Sequence, residues 1–315
     1  MNVSYVQPLR LAWERMVRML FRPFRIEFWL TLGFAAFLSE YLSWGFSGSR
    51  SGLRRHAEAI SPDSLAKVID FIRNPLVTAG LILIAVMSLL AYLLFMWLSA
   101  RGQFIFLDNA AHERAGIVEP WRRLGRLGDS LFLFRLCITF ACLVVAGAIM
   151  APFLTALAAI LHSGTFRLSD LMVLLPMPLM LLPFAILFGY ISLFTRSFVV
   201  PIMYRYDLGV LAGWRRFLAL FSQRPLPFLV YGVYSLVLLV VALCLMLAFG
   251  LGTLAIGFVL MAIPYLGSVV LLPLEVTARA LGPEFLAQFG PEYAVLSTPA
   301  PTPVPPATAP SSARA

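Results

Sequence analysis

Charge is scarce in this chain. Charged residues make up 12% of the sequence, against roughly a quarter in soluble domains, and lysine is all but absent, with Lys67 the single copy. So little charge cannot clothe a water-exposed surface of ordinary size, which excludes a soluble globular protein. Cysteine is equally sparse: Cys137, Cys142 and Cys244 fall inside apolar runs with no C-x-x-C pair, which excludes a disulfide framework or a metal knuckle and reads as buried thiols. His56, His112 and His162 stand in separate loops. There is no H-E-x-x-H, G-x-S-x-G, phosphate-binding loop or G-x-G-x-x-G, and Asp108 with Glu113 reads as a solvated face. Nothing supports catalysis, a metal or a cofactor, so a non-enzymatic protein is expected.

What is present is apolar: 61% hydrophobic residues and a mean hydropathy of +0.89 describe an integral membrane protein. A helix crossing about 30 Å of hydrocarbon needs roughly 20 apolar residues. Uninterrupted runs predict about six spans, near 27–46, 76–99, 131–160, 171–195, 226–249 and 251–275. The last two are parted only by "FGLGT", so two spans and one re-entrant segment both remain open; two are taken because the combined run is about twice one span.

The net charge of +9 is an arginine charge. In a soluble protein it would suggest nucleic acid; here it points to topology and anionic headgroups, with no nucleic-acid partner. Arginines crowd the N-terminal segment (Arg10, Arg15, Arg18, Arg22, Arg25), the second loop (Arg101, Arg114, Arg122, Arg123, Arg126) and the fourth (Arg196, Arg205, Arg215, Arg216, Arg224). The third loop holds only Arg167. The first loop runs against the trend, with Arg50, Arg54, Arg55, Lys67 and Arg73 partly offset by Glu58, Asp63 and Asp70. The balance places both termini in the cytoplasm. The first apolar run starts late, is longer than a signal-peptide core and has no clear cleavage site, so it reads as a span.

Trp-Arg-Arg occurs twice, at Trp121 and Trp214, with a weaker copy at Trp13 in "LAWERMVRML". Each stands before the first span of a pair, which reads as three repeats of an amphipathic helix followed by a transmembrane hairpin, roughly 8–101, 115–196 and 208–279. Trp13, Met16, Val17 and Leu20 fall at i, i+3, i+4 and i+7, as do Trp214, Phe217, Leu218 and Phe221. Such a helix lies in the interface plane, with Trp13, Trp121 and Trp214 at headgroup depth and Arg15, Arg123 and Arg216 toward phosphates. In the second copy Gly125 and Gly128 take two apolar positions, predicting a shorter or bent helix. Arg22-Pro23 and Arg224-Pro225 mark the turn into the membrane. The competing explanation is that interfacial Trp and cytoplasmic Arg are general features of multispanning proteins.

Candidate intramembrane polar residues are Glu40, Arg135 and Glu275, each near enough to an interface to snorkel. Prolines cluster in the fourth span (Pro176, Pro178, Pro183), with Pro152 in the third and Pro264 and Pro273 in the sixth. They read as kinks, although broken helices also form transporter sites. "SPDSLAKVIDFI" predicts a short outer helix capped by Ser61, and the Pro- and Ala-rich stretch 281–315 a disordered cytoplasmic tail.

The repeated Trp/Arg helix leading into a hairpin, over about residues 8–280, resembles bacterial multispanning families related to the membrane domain attached to some glycerophosphodiester phosphodiesterases. No phosphodiesterase domain is present here. The resemblance implies a helical protein of the bacterial inner membrane. The expected whole is an all-α polytopic bundle, an integral membrane domain over 1–280 plus the tail. Its expected role is organising the membrane or serving as accessory to a partner membrane protein; the alternative is a transporter or lipid-handling protein with a site near the kinked fourth span.

Overall fold

The computed structural model describes residues 3–41, 74–114, 116–163, 179–253 and 256–296, and every regular element among them is helical. The expected outer helix after Ser61, Pro176, Pro178 and everything from 297 onward lie outside the described residues. Four helices are long and apolar enough to cross a membrane.

α1 (Val6–Phe21) leads through Arg22-Pro23 into α2 (Ile26–Ala36), which continues as a π-helical turn, Phe37–Tyr41. The Trp29 indole donates to the Leu20 carbonyl at 2.8 Å, fixing the elbow between them. α3 (Pro75–His112) starts where the Asn74 side chain accepts from the Leu76 amide at 3.0 Å, with Pro75 in the first turn. Its 38 residues rise about 57 Å, nearly twice the hydrocarbon thickness, so the helix must continue beyond the membrane. Burial marks the change: Leu81, Ile82, Leu83 and Ile84 are exposed, whereas 102–110 are buried. Glu113 closes it in the left-handed region, φ 50°, its amide bonding back to Asn109.

α4 (Val118–Arg123) is a short helix before the second long span, α5 (Gly125–Ser163). α6 (Leu181–Phe194) passes through a π-helical turn, Thr195–Val199, into α7 (Val200–Tyr206), which ends as α3 does, on a left-handed Asp207 at φ 50°. α8 (Val210–Gln223) turns at Arg224 into the fourth long span, α9 (Pro225–Gly252).

The sixth expected span is not one helix. It is divided into α10 (Ile256–Ala262), α11 (Pro264–Val270) and α12 (Leu272–Leu286), with extended backbone at Ile263. Pro264 and Pro273 open α11 and α12, positions where a missing amide costs nothing, so these prolines start helices instead of kinking one. The first part of the expected disordered tail is corrected by the structure. Phe285, Leu286, Val295 and Leu296 are buried, and Gln288 exchanges hydrogen bonds with the Ser4 backbone, both at 2.9 Å, so 281–296 is folded.

The core sits at one end of the spans, in a layer built by α1, α4, α8, α12 and the ends of α3, α6 and α7. Phe198 stacks on Phe217 at 5.4 Å and meets Tyr231 at 4.9 Å, while Phe228 stacks on Phe289 at 4.8 Å. A second cluster joins Met16, Leu20, Leu32, Ile105, Phe106 and Val276. Outside this layer α5 and α9 turn apolar flanks outward, Phe140 68% and Leu236 60% exposed, a surface that suits lipid and not water. Cys137 and Cys244 are on those flanks, exposed and not buried thiols.

Candidate functional site in the interfacial layer

Aligned on their tryptophans, the three segments around Trp13, Trp121 and Trp214 bury the same positions. The residue before each Trp is buried (Ala12, Pro120, Gly213), as are those three and six after it: Met16 and Met19, Leu124 and Leu127, Phe217 and Leu220. This face is rotated from the expected one by roughly a quarter turn, at 100° per residue. Trp13 therefore stands at its edge, 55% exposed. Trp214 turns inward between Phe134 and Phe217, at 6.1 and 5.7 Å.

The same rotation carries Arg15 into the protein, which corrects its placement toward phosphates. Only 2% of its surface is exposed. Its Nη2 donates to Glu284 Oε1 at 3.2 Å and to the Leu296 carbonyl at 3.1 Å, and its Nη1 lies 3.8 Å from Glu113. Burial pushes the Glu284 carboxyl above its ordinary value, and the charges of Arg15 and Arg18 offset this only in part. The pair ties the first helix to the last.

Asp108 is the second centre and corrects the reading of a solvated face: it is fully buried. Its carboxylate accepts from Arg114 at 2.9 Å, from Tyr204 at 2.7 Å and from Arg123, with His112 Nδ1 3.4 Å away. Arg123, expected at the headgroups, is thus half turned inward onto Asp108. Asn109 accepts from the Gly116 amide at 3.0 Å. Arg216 lies over the Tyr206 ring at 3.6 Å.

A third assembly surrounds Arg101. Its guanidinium makes two bonds to Asp129, 3.0 and 2.8 Å, and stacks over Trp97 and Trp121 at 4.4 and 5.1 Å; the Trp97 indole also donates to Asp129. This explains the glycines that follow Trp121. A Cβ at Gly128 would stand 2.6 Å from Arg101 Cγ and 3.1 Å from its Cα, so glycine makes room for the stack. Leu124, between α4 and α5, is where the helix breaks. Gly128→Ala is expected to displace Arg101 from Asp129 and to cost about 1–3 kcal/mol by overpacking, read as a lower thermal midpoint in detergent; an unchanged midpoint would show that the side chain shifts freely.

Of the intramembrane candidates, Arg135 donates to Ser99 Oγ at 3.4 Å and Glu275 lies 3.3 Å from Arg279. The side chain of Glu40 lies outside the described residues. The sequence reading did not single out Tyr204, Glu284, Gln103 or Arg279. One signal was available: "FIFLDNAA" sets Asp108 and Asn109 in an apolar run beyond a full span length. Among the described residues no group of His, Cys, Asp and Glu could hold a metal ion.

The arrangement is dominated by carboxylates bonded to arginine, which ties helices to one another. Neither the curated proteins nor the solved structures contain a match to this chain. A family profile does match, over residues 3–299, nearly the full length, and the chain belongs to that family, described as a family of unknown function (DUF7544).

Proposed function

We propose that this is a non-enzymatic, multi-pass protein of the bacterial inner membrane whose interfacial layer acts as a platform for anionic headgroups and a partner membrane protein. The observation that carries this reading is a division among the arginines. Arg15, Arg101, Arg114 and Arg123 are engaged with carboxylates, whereas Arg18, Arg22, Arg25, Arg122, Arg215 and Arg224 are exposed. Exposed arginines near a leaflet are each worth about 1 kcal/mol of attraction to anionic lipid.

The finer architecture belongs to the same proposal: six membrane segments as three copies of helix plus hairpin, both termini cytoplasmic. The common buried face before, three after and six after each Trp supports the repeat. So does the matching left-handed closure of α3 and α7. The likeness to membrane domains attached to glycerophosphodiester phosphodiesterases is part of this reading, without their activity.

The test is extraction with surrounding lipid into native nanodiscs, followed by mass spectrometry of what co-purifies. A protein in stoichiometric amount supports the accessory role. A retained small solute with no protein partner would overturn it in favour of transport, for which the helix breaks at Ile263 and Leu271 are the structural argument.

A further inference from the structure

A cavity of about 40 Å³ lies where three separate helical segments converge. α3 contributes Gln103, the π-helical turn after α6 contributes Arg196 and Ser197, and α12 contributes Arg279. One water needs about 10–15 Å³ on this measure, so the space suits a few waters or one small tetrahedral ion.

Several features make this a built site. Gln103 is 9% exposed, and its Oε1 has no hydrogen-bond partner among the described residues; a buried carbonyl oxygen left so is uncommon and is satisfied by a donor such as water, or by turning the amide over so that its nitrogen faces the cavity. The Arg279 side chain is 9% exposed. Its guanidinium plane is set by the Phe106 ring at 4.4 Å and by Glu275 at 3.3 Å from Nε. Arg196 and Ser197 sit in a π-helical turn, a local irregularity common at functional sites. The turn is pinned by α12: a Cβ at Gly282 would stand 2.4 Å from the Ser197 carbonyl oxygen. Glycine there lets the two backbones touch, which holds the arginines on a common void.

We propose that this cavity binds one phosphate-type oxyanion, held by the Arg196 and Arg279 guanidiniums with the Gln103 amide. Planar guanidiniums match a tetrahedral oxyanion in pairs of parallel bonds. The Gln103 amide turns either its oxygen or its nitrogen inward by rotation about its last bond, so the same side chain serves water or anion. The chemistry is shared by the phosphate of a lipid headgroup and by free phosphate. The site goes beyond the platform reading, since it uses none of the exposed arginines.

The experiment uses the full chain, delipidated in a phosphate-free detergent. One arm measures radiolabelled orthophosphate uptake by equilibrium dialysis. The other measures retention of phosphatidylglycerol by native mass spectrometry, with diacylglycerol as the phosphate-free comparison. One equivalent is expected in at least one arm, weakened about tenfold or more in Arg196→Gln and in Gln103→Glu, which sets a like charge against the ligand, while Arg126→Gln, at a residue paired with Asp207 and away from the cavity, leaves it unchanged. Orthophosphate uptake assigns a free ion; phosphatidylglycerol alone assigns a headgroup. The proposal is overturned if the wild-type chain retains neither, or if retention ignores both cavity variants. Should Gln103→Glu not fold, Arg196→Gln decides, its side chain being only partly buried.

Discussion

Replacing Arg15 by methionine is expected to lower stability by about 3–5 kcal/mol at neutral pH, the range for removing one partner of a buried ion pair. Methionine keeps the bulk of the side chain, so the loss reads the charge and the hydrogen bonds to Glu284, Leu296 and Ala110. The effect should depend on pH in a definite direction. Burial already holds the folded Glu284 carboxyl above its ordinary value despite Arg15. Without the arginine it rises further. A carboxyl whose folded value exceeds its unfolded one favours the folded state fully below the unfolded value, about 4.3, and that contribution is lost as pH rises through the folded value. The deficit of Arg15→Met should therefore shrink toward acid and grow toward neutrality, with the wild type showing a smaller slope of the same sign. Arg15→Met combined with Glu284→Leu should recover most of the loss and abolish the slope. Thermal unfolding in detergent across pH 4 to 8 checks both, and a pH-independent deficit would show that Glu284 is not the group left behind.

Replacing Asp108 by alanine is the second large effect, expected at about 3 kcal/mol from charged hydrogen bonds of roughly 1.5–3 kcal/mol each that do not add. The sum is held down because Arg114 and Arg123 are 39% and 49% exposed and regain water when the carboxylate is gone. Asp108→Asn should lose about half as much, and Tyr204→Phe about 1 kcal/mol. The change has a local signature. Arg114 lies in the connection from α3 to α4 and Arg123 ends α4, so loss of their shared partner should open this stretch to trypsin ahead of the rest of the layer. Unchanged cleavage at that connection in Asp108→Ala would mean that Asn109 and the Gly116 amide hold it unaided.

The long spans were legible because their signal is one-dimensional: a run such as 76–99 or 226–249 is apolar in every direction, and lipid asks nothing more of it. The amphipathic helices were legible as helices but not in rotation. In α1 both candidate faces carry large apolar side chains, and Trp13 weights the choice toward the wrong one. Ala12 and Gly213, which let neighbours approach, carry no hydrophobic signal at all. The sixth segment misled for a related reason, since hydropathy averages across Ile263 and cannot see extended backbone. Gly125 and Gly128 were visible as exceptions, but their purpose was not, because Arg101 lies on another helix.

Composition and hydropathy by themselves determined that the chain lives in a membrane, that its elements are helices, and that arginine gathers in three segments. Those conclusions follow from transfer energetics summed along the chain, which need no partner. The tertiary structure alone decided which arginines belong to the protein and which to its surroundings. Arg15 and Arg18 stand on the same helix three residues apart, yet one meets Glu284, 269 positions away, and the other is exposed. A buried charge is tolerated only where an opposite charge is delivered to it, and that delivery depends on how α1 and α12 pack, which no local pattern encodes.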